Sequence, residues 1–193
     1  MPSSREFSSF QCVSNEQVLK ALSTLDAGKA AGADDIPVKA IKSMAGYIAP
    51  SIAYLINESF RQGEFPLKWK IARVSPLFKG GISTNCNNYR PVSVLSCLAK
   101  VLERFANQQF QDFAVENKLI SEKQFAYQKR SSCNIALIRL VDEWKWSIDI
   151  KQIAVAAFLD LRKAFDVINH NLLLKKLESA GVSGSARELS ARF

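Results

Sequence analysis

The chain has 193 residues, 48% of them hydrophobic and 23% charged, and a net charge of +8. That length allows one domain or a little more, and the balance is that of a water-soluble globular chain with a leaning toward polyanionic partners. It excludes a membrane span, since no apolar run approaches ~18–20 residues, and it argues against a secretory leader, since the N-terminus lacks an apolar core segment.

Ser14 with Gln17 reads as a capping box that opens a helix. Val18, Leu22 and Leu25 line one face of it and Gly28 is its expected stop. Pro37 suits the first turn of a second helix. Ile48, Ile52, Leu55, Ile56 and Phe60 then recur at helical spacing until Gly63 and Pro66. Residues 69–77 read as a strand that leads to a turn at Lys79-Gly80-Gly81, and 89–95 as its return strand. Asn85, Asn87 and Asn88 keep the tip a loop. A helix carrying Leu98, Leu102, Phe105 and Phe113 comes next, then a polar irregular stretch over 121–132. Leu137, Val141, Trp144 and Ile148 make another helical stripe. The apolar run 153–159 reads as a buried strand with Asp160 at its exit. Asn169 can cap a last helix with Leu173, Leu177 and Ala180 on one face and Gly181 as its stop. Helices, a hairpin, helices and a lone strand in that order predict an α+β fold.

Cys12, Cys86, Cys97 and Cys133 form no C-x-x-C pair, and His170 is the one histidine, which argues against a zinc site. Scattered thiols fit a reducing, intracellular compartment, without distinguishing nucleus from cytoplasm. Asp160 has two readings on pattern alone: a hard-oxygen ligand for Mg²⁺ facing a cleft, or a strand-end acid engaged with the surface. Lys79 and Arg90, on the two arms of the hairpin, read on pattern alone as a solvated face. Lys123, Lys129 and Arg130 beside Phe125 and Tyr127 make a basic-aromatic patch, suited to single-stranded nucleic acid or simply a solvated loop.

Five blocks in order carry a resemblance. They are Gly28-Lys29 with Gly32-Ala33-Asp34-Asp35-Ile36-Pro37; Pro66, Trp69, Ala72, Pro76, Leu77 and Lys79; Asn88-Tyr89-Arg90-Pro91-Val92-Ser93 with Leu95, Lys100 and Glu103; Gln124-Phe125-Ala126-Tyr127 with Ser131-Ser132; and Phe158-Leu159-Asp160-Leu161 with Lys163-Ala164-Phe165-Asp166 and His170. Together they resemble the reverse transcriptases of non-LTR, LINE-type retrotransposons, jockey-like ones in particular. Ala33 and Asp35 depart from the family's usual proline and glycine, Ala126 from its glycine and Ser132 from its threonine.

The resemblance implies the fingers and partial palm of a right-hand polymerase, incomplete and without a thumb. Residues 1–27 would be an N-terminal helical extension, 28–130 the fingers region and 131–193 the start of the palm. The implied chemistry is RNA-directed DNA synthesis by two Mg²⁺ ions, with RNA template, DNA primer and dNTP as partners. Asp160 would be the catalytic, metal-binding acid and the Leu161 carbonyl a second ligand. Lys79, Arg90, Lys163, Ala164 and Phe165 would bind the nucleotide, with Phe165 against the sugar. Lys123, Phe125, Tyr127, Lys129 and Arg130 would face the template. Asp166 is read as a capping carboxylate and His170 as structural. Ala33-Asp34-Asp35 looks like the family's second acidic motif but stands upstream of the first, so it is read as a turn. With no such second motif after Asp160, the isolated chain is expected not to polymerise. The alternative is a non-catalytic nucleic-acid-binding remnant.

Overall fold

The computed structural model describes residues 6–128, 131–161, 164 and 167–192. The contacts divide these into two regions, those within 6–113 with 170–192, and those within 114–169.

In the first region, helix α1 (Asn15–Ser23) opens with the expected capping box. The Gln17 N–H donates to Ser14 Oγ at 3.2 Å, and the Ser14 N–H donates to Gln17 Oε1 at 2.7 Å. The helix ends at Ser23 with Thr24 as its cap, ahead of the Gly28 stop read from sequence. The Thr24 hydroxyl bonds the Ala21 carbonyl at 3.0 Å, so a local side chain closes the helix before glycine is reached. Pro37 is the N-cap of α2 (Val38–Ser43). Helix α3 (Ala45–Gln62) follows, and buries Ala45, Ala49, Ile52, Ala53, Ile56 and Phe60 along one stripe.

Gly63 ends α3 at φ 67°, a conformation glycine adopts without a Cβ penalty. A Cβ there would also stand 2.8 Å from the Glu188 Cβ on the last helix, α7 (Gly184–Arg192). The stop is therefore also the seat of a packing partner. Nothing in the sequence reading anticipated α7, because its apolar content is thin. Yet Ala186 and Leu189 are fully buried.

The expected first strand starts late. Residues Leu67–Lys70 form a 3₁₀ turn, and β1 is Arg73–Phe78. It pairs antiparallel with β2 (Tyr89–Val94), Arg73 opposite Val94 and Phe78 opposite Tyr89. Helix α4 (Cys97–Glu116) leaves the hairpin and places Ala99, Val101, Leu102 and Ala106 in the core. Helix α6 (His170–Ser179) begins just after Asn169. Phe7 bridges Val182, its N–H donating to the Gly181 carbonyl at 2.9 Å and its carbonyl accepting from Ser183 at 3.0 Å. Phe10 stacks on Phe60 at 4.7 Å and Phe7 on Phe113 at 5.1 Å, so the N-terminal segment knits α3, α4 and the α6–α7 corner together.

In the second region, helix α5 (Cys133–Asp149) is capped by Ser132, whose Oγ accepts from the Ile135 N–H at 3.2 Å. None of its described residues is buried; Leu137 and Ile148 of the expected stripe are exposed, and Val141 and Trp144 half-buried. The expected buried strand at 153–159 is not a strand. Residues 152–161 run without regular structure and are exposed throughout, Ile153 by 91% and Leu159 by 94%. A strand needs a ladder partner for its backbone groups and cover for its faces. Among the described residues the strands are β1 and β2, and they pair with each other. The apolar run thus has the composition of a buried strand and nothing to pair with, so Asp160 is not at a strand exit.

Candidate functional site

Side chains alternate across a strand, and opposite residues in an antiparallel pair share a face. Arg90 lies opposite Leu77. Lys79 is two residues beyond Leu77, and its N–H continues the ladder by donating to the Asn88 carbonyl at 2.8 Å. Lys79 and Arg90 are therefore diagonal neighbours on one face, roughly 7–8 Å apart at the backbone. Both are exposed, and neither has an ion-pair partner among the described residues. A guanidinium fork and a flexible ammonium this close can grip one phosphate chain from two sides.

Sequence reasoning missed that Arg73 shares this face, which the two-residue period from Leu77 would have given. Arg73 is not free: its Nη2 meets Asp35 Oδ1 at 2.5 Å. Asp34 and Asp35, set aside above as a look-alike of a catalytic pair, are both engaged with the base of the hairpin. Ser96 Oγ donates to Asp34 Oδ2 at 2.6 Å. Burial and, after it, the charge of Asp34 push the neighbouring Cys97 thiol above its ordinary range.

In the second region, Asp160 and Leu161 are exposed, and Ala164 lies in a turn. No group of three or more His, Cys, Asp or Glu side chains among the described residues could hold a metal ion. Lys163, Phe165 and Asp166 lie outside the described residues, as do Lys129 and Arg130. The rest of the basic-aromatic patch is placed: Lys123 is exposed, Phe125 half-buried, and Tyr127 78% exposed at φ 58°. Arg139 of α5 sits 5.8 Å from the Phe125 ring centroid, and its Nη1 donates to the Glu122 carbonyl at 3.4 Å. Arg139 thus organises this loop, a contact with no local sequence signal. Beside it, a recess of about 570 Å³ is lined by Val115, Lys118, Ile120, Ser121, Gln124 and Gln128 among others.

Residues 78–191, from the end of β1 through α7, match the family Reverse transcriptase (RNA-dependent DNA polymerase). The chain belongs to the reverse transcriptase family. Among its curated relatives is the RNA-directed DNA polymerase from mobile element jockey of Drosophila melanogaster, 30% identical over 165 residues. A probable RNA-directed DNA polymerase from transposon BS of the same fly is 27% identical over 164 residues, and one from its X-element 28% over 151. These similarities cover 85%, 84% and 78% of this reverse transcriptase chain, and about 18% of the first two relatives and 17% of the third. The chain therefore spans under a fifth of the length of each. Similarity over 165 residues is longer than the stretch from residue 78 onward, so it reaches into the helices ahead of the hairpin. The jockey-like resemblance of the five sequence blocks is thereby met. Among the described residues no helix is long and apolar enough to cross a membrane, and all four cysteines are free thiols.

Proposed function

We propose that this chain is the part of an RNA-directed DNA polymerase of a non-LTR mobile element that grips the incoming nucleotide and presents the first catalytic aspartate. The carrying observation is the pair Lys79 and Arg90 on one face of the β1–β2 hairpin, without an ion-pair partner among the described residues, in a chain whose residues 78–191 match the reverse transcriptase family. In this reading the hairpin is the fingers tip, and its two cations hold the triphosphate of a dNTP. The N–H groups of Lys163 and Ala164 would take further phosphate oxygens, and Phe165 would lie against the sugar. The surface around Lys123, Phe125 and Tyr127, with Lys129 and Arg130, would take the RNA template by charge and stacking.

Asp160 and the Leu161 carbonyl offer the hard oxygens that Mg²⁺ prefers. One carboxylate and one carbonyl, with no group of three or more His, Cys, Asp or Glu side chains among the described residues, do not make a cage for a resident ion. Asp160 and Leu161 on their own do not fit a bound Mg²⁺. The 193-residue chain by itself is accordingly proposed to bind nucleotide and nucleic acid without extending a primer. Purified chain, a primed RNA template and dNTPs test this. The expected result is no templated extension, with RNA binding that weakens steeply with salt. Templated extension that disappears in Asp160→Ala would overturn the proposed inactivity.

A further inference from the structure

The block Gly28–Pro37 has no place in the nucleotide grip, yet it touches the chain where β1 begins, at Arg73, and just past the end of β2, at Leu95 and Ser96. Gly32 is buried, and a Cβ on it would stand 2.5 Å from the Ser96 nitrogen and 2.7 Å from the Leu95 carbonyl carbon. Only glycine allows that approach to the end of β2. The Ser96 hydroxyl donates to Asp34 at 2.6 Å, accepts from the Leu98 N–H at 3.3 Å, and its own carbonyl takes the first helical bond of α4 from Lys100 at 3.2 Å. Ser96 is 2% exposed, so its hydroxyl depends on these partners. Asp34 also takes the Ile36 N–H at 3.3 Å, which fixes the turn. Asp35, in the left-handed region at φ 53°, reaches the other strand, at Arg73, where β1 begins. Aspartate tolerates that conformation better than most residues, which accounts for its standing where glycine is usual in the resemblance.

We infer that Gly32, Asp34 and Asp35 form a clamp on both feet of the hairpin, and that this clamp sets where Lys79 and Arg90 stand when they meet a nucleotide. The inference rests on the nucleotide-gripping reading of the hairpin. Its logic is mechanical. Beyond its feet the two-stranded hairpin is exposed on both faces, and such a ribbon is marginal without support. The clamp supplies that support at the β1 entry, the β2 exit and the α4 start together. Asp34 and Asp35 are positioning residues and touch no substrate. Of the two, Asp34 matters more, because its partner is buried. The Asp35–Arg73 pair is solvent-exposed, and such pairs contribute little.

The test uses the whole 193-residue chain, hydrogen exchange of the hairpin amides, and titration with a fluorescent N-methylanthraniloyl dATP. Asp34→Ala is expected to speed exchange across Arg73–Phe78 and Tyr89–Val94 by about tenfold, the loss of one charge-assisted hydrogen bond, while exchange in α3 stays unchanged. Nucleotide affinity should fall by several-fold, and Asp34→Asn, whose single amide oxygen can serve Ser96 or the Ile36 N–H but not both, should restore part of both. Should Asp34→Ala fail to fold, Arg73→Ala serves: it removes the Asp35 pair without straining the left-handed turn, and should speed hairpin exchange by about twofold. Unchanged hairpin exchange overturns the clamp. Faster exchange with unchanged nucleotide affinity overturns the positioning role and leaves only support. If the unaltered chain binds no nucleotide, or binds it equally well as Lys79→Ala and Arg90→Ala, the nucleotide-gripping reading fails instead, and the exchange result still decides the clamp.

Discussion

Residues 6–113 with 170–192 and residues 114–169 are built from comparably apolar sequence, yet only the first set makes a core. In the first, α1, α3, α4 and α7 interleave fully buried side chains such as Leu22, Ile56, Leu102 and Leu189. In the second, Ala114 is the only buried residue among those described, and the most apolar run of the chain, 153–159, lies open to water. The difference is one of partners. An amphipathic helix satisfies its own backbone and needs only a face to lie against. A strand needs another strand first. Hydrophobicity sets the wish to be buried, and complementarity decides whether it is met.

This contrast can be broken most directly by paired truncations. Leu102→Ala should cost about 2–5 kcal/mol in a urea unfolding experiment, whereas Leu159→Ala should stay within about 0.5 kcal/mol. Equal losses would mean that the 153–159 run is buried after all. A smaller effect is expected at the joint between α3 and α7. Gly63→Ala must adopt a positive φ and push on Glu188, for roughly 1–3 kcal/mol; a neutral outcome would show that α7 is loosely seated. Ser14→Ala removes the cap of α1 and should lower stability by about 1 kcal/mol, read from the same unfolding curves.

The smallest effect depends on pH. Glu103 lines a groove of about 390 Å³ with Phe10, Ala106, Phe110, Leu173 and Leu177. Burial raises its carboxyl above the ordinary range, partly opposed by Lys100. The folded chain then holds this proton to higher pH than the unfolded chain does, so stability falls as pH rises from the ordinary glutamate value through the raised one. Glu103→Gln removes that loss. Thermal melts should show the variant ahead at neutral pH and the gap closing as pH falls toward the ordinary value. A gap that widens in acid would mean that the charged form is the favoured one.

What could be read from the sequence was local. The Ser14–Gln17 capping box spans three residues, the α3 stripe one helix, and the hairpin two strands joined by a glycine-rich tip. Each closes within one helix or one hairpin, so propensity and periodicity suffice. Contacts that join distant parts were invisible. Arg73 finds Asp35 from 38 residues away and Ser96 finds Asp34 from 62. Nothing about a lone arginine or serine announces such a partner. The same limit explains α7, whose two buried residues mean little until α3 is beside them, and 153–159, whose strand-like composition says nothing about whether a neighbour is present. Of the candidate site, the Lys79–Arg90 pairing was legible because a hairpin is local, and the same period would have placed Arg73, while its partner Asp35 and the role of Arg139 emerged only with the fold.

The bridge between Phe7 and Val182 bears on how the molecule is made. α3 emerges early in synthesis but keeps an uncovered face until α7 arrives to fill the seat at Gly63, and Phe7 cannot dock until residues 181–183 have left the ribosome. At ordinary elongation rates that interval is on the order of ten seconds. During it the nascent helices present sticky surface to their surroundings, so the yield of folded chain in a cell would be governed by what shelters it during translation as much as by the stability of the finished core.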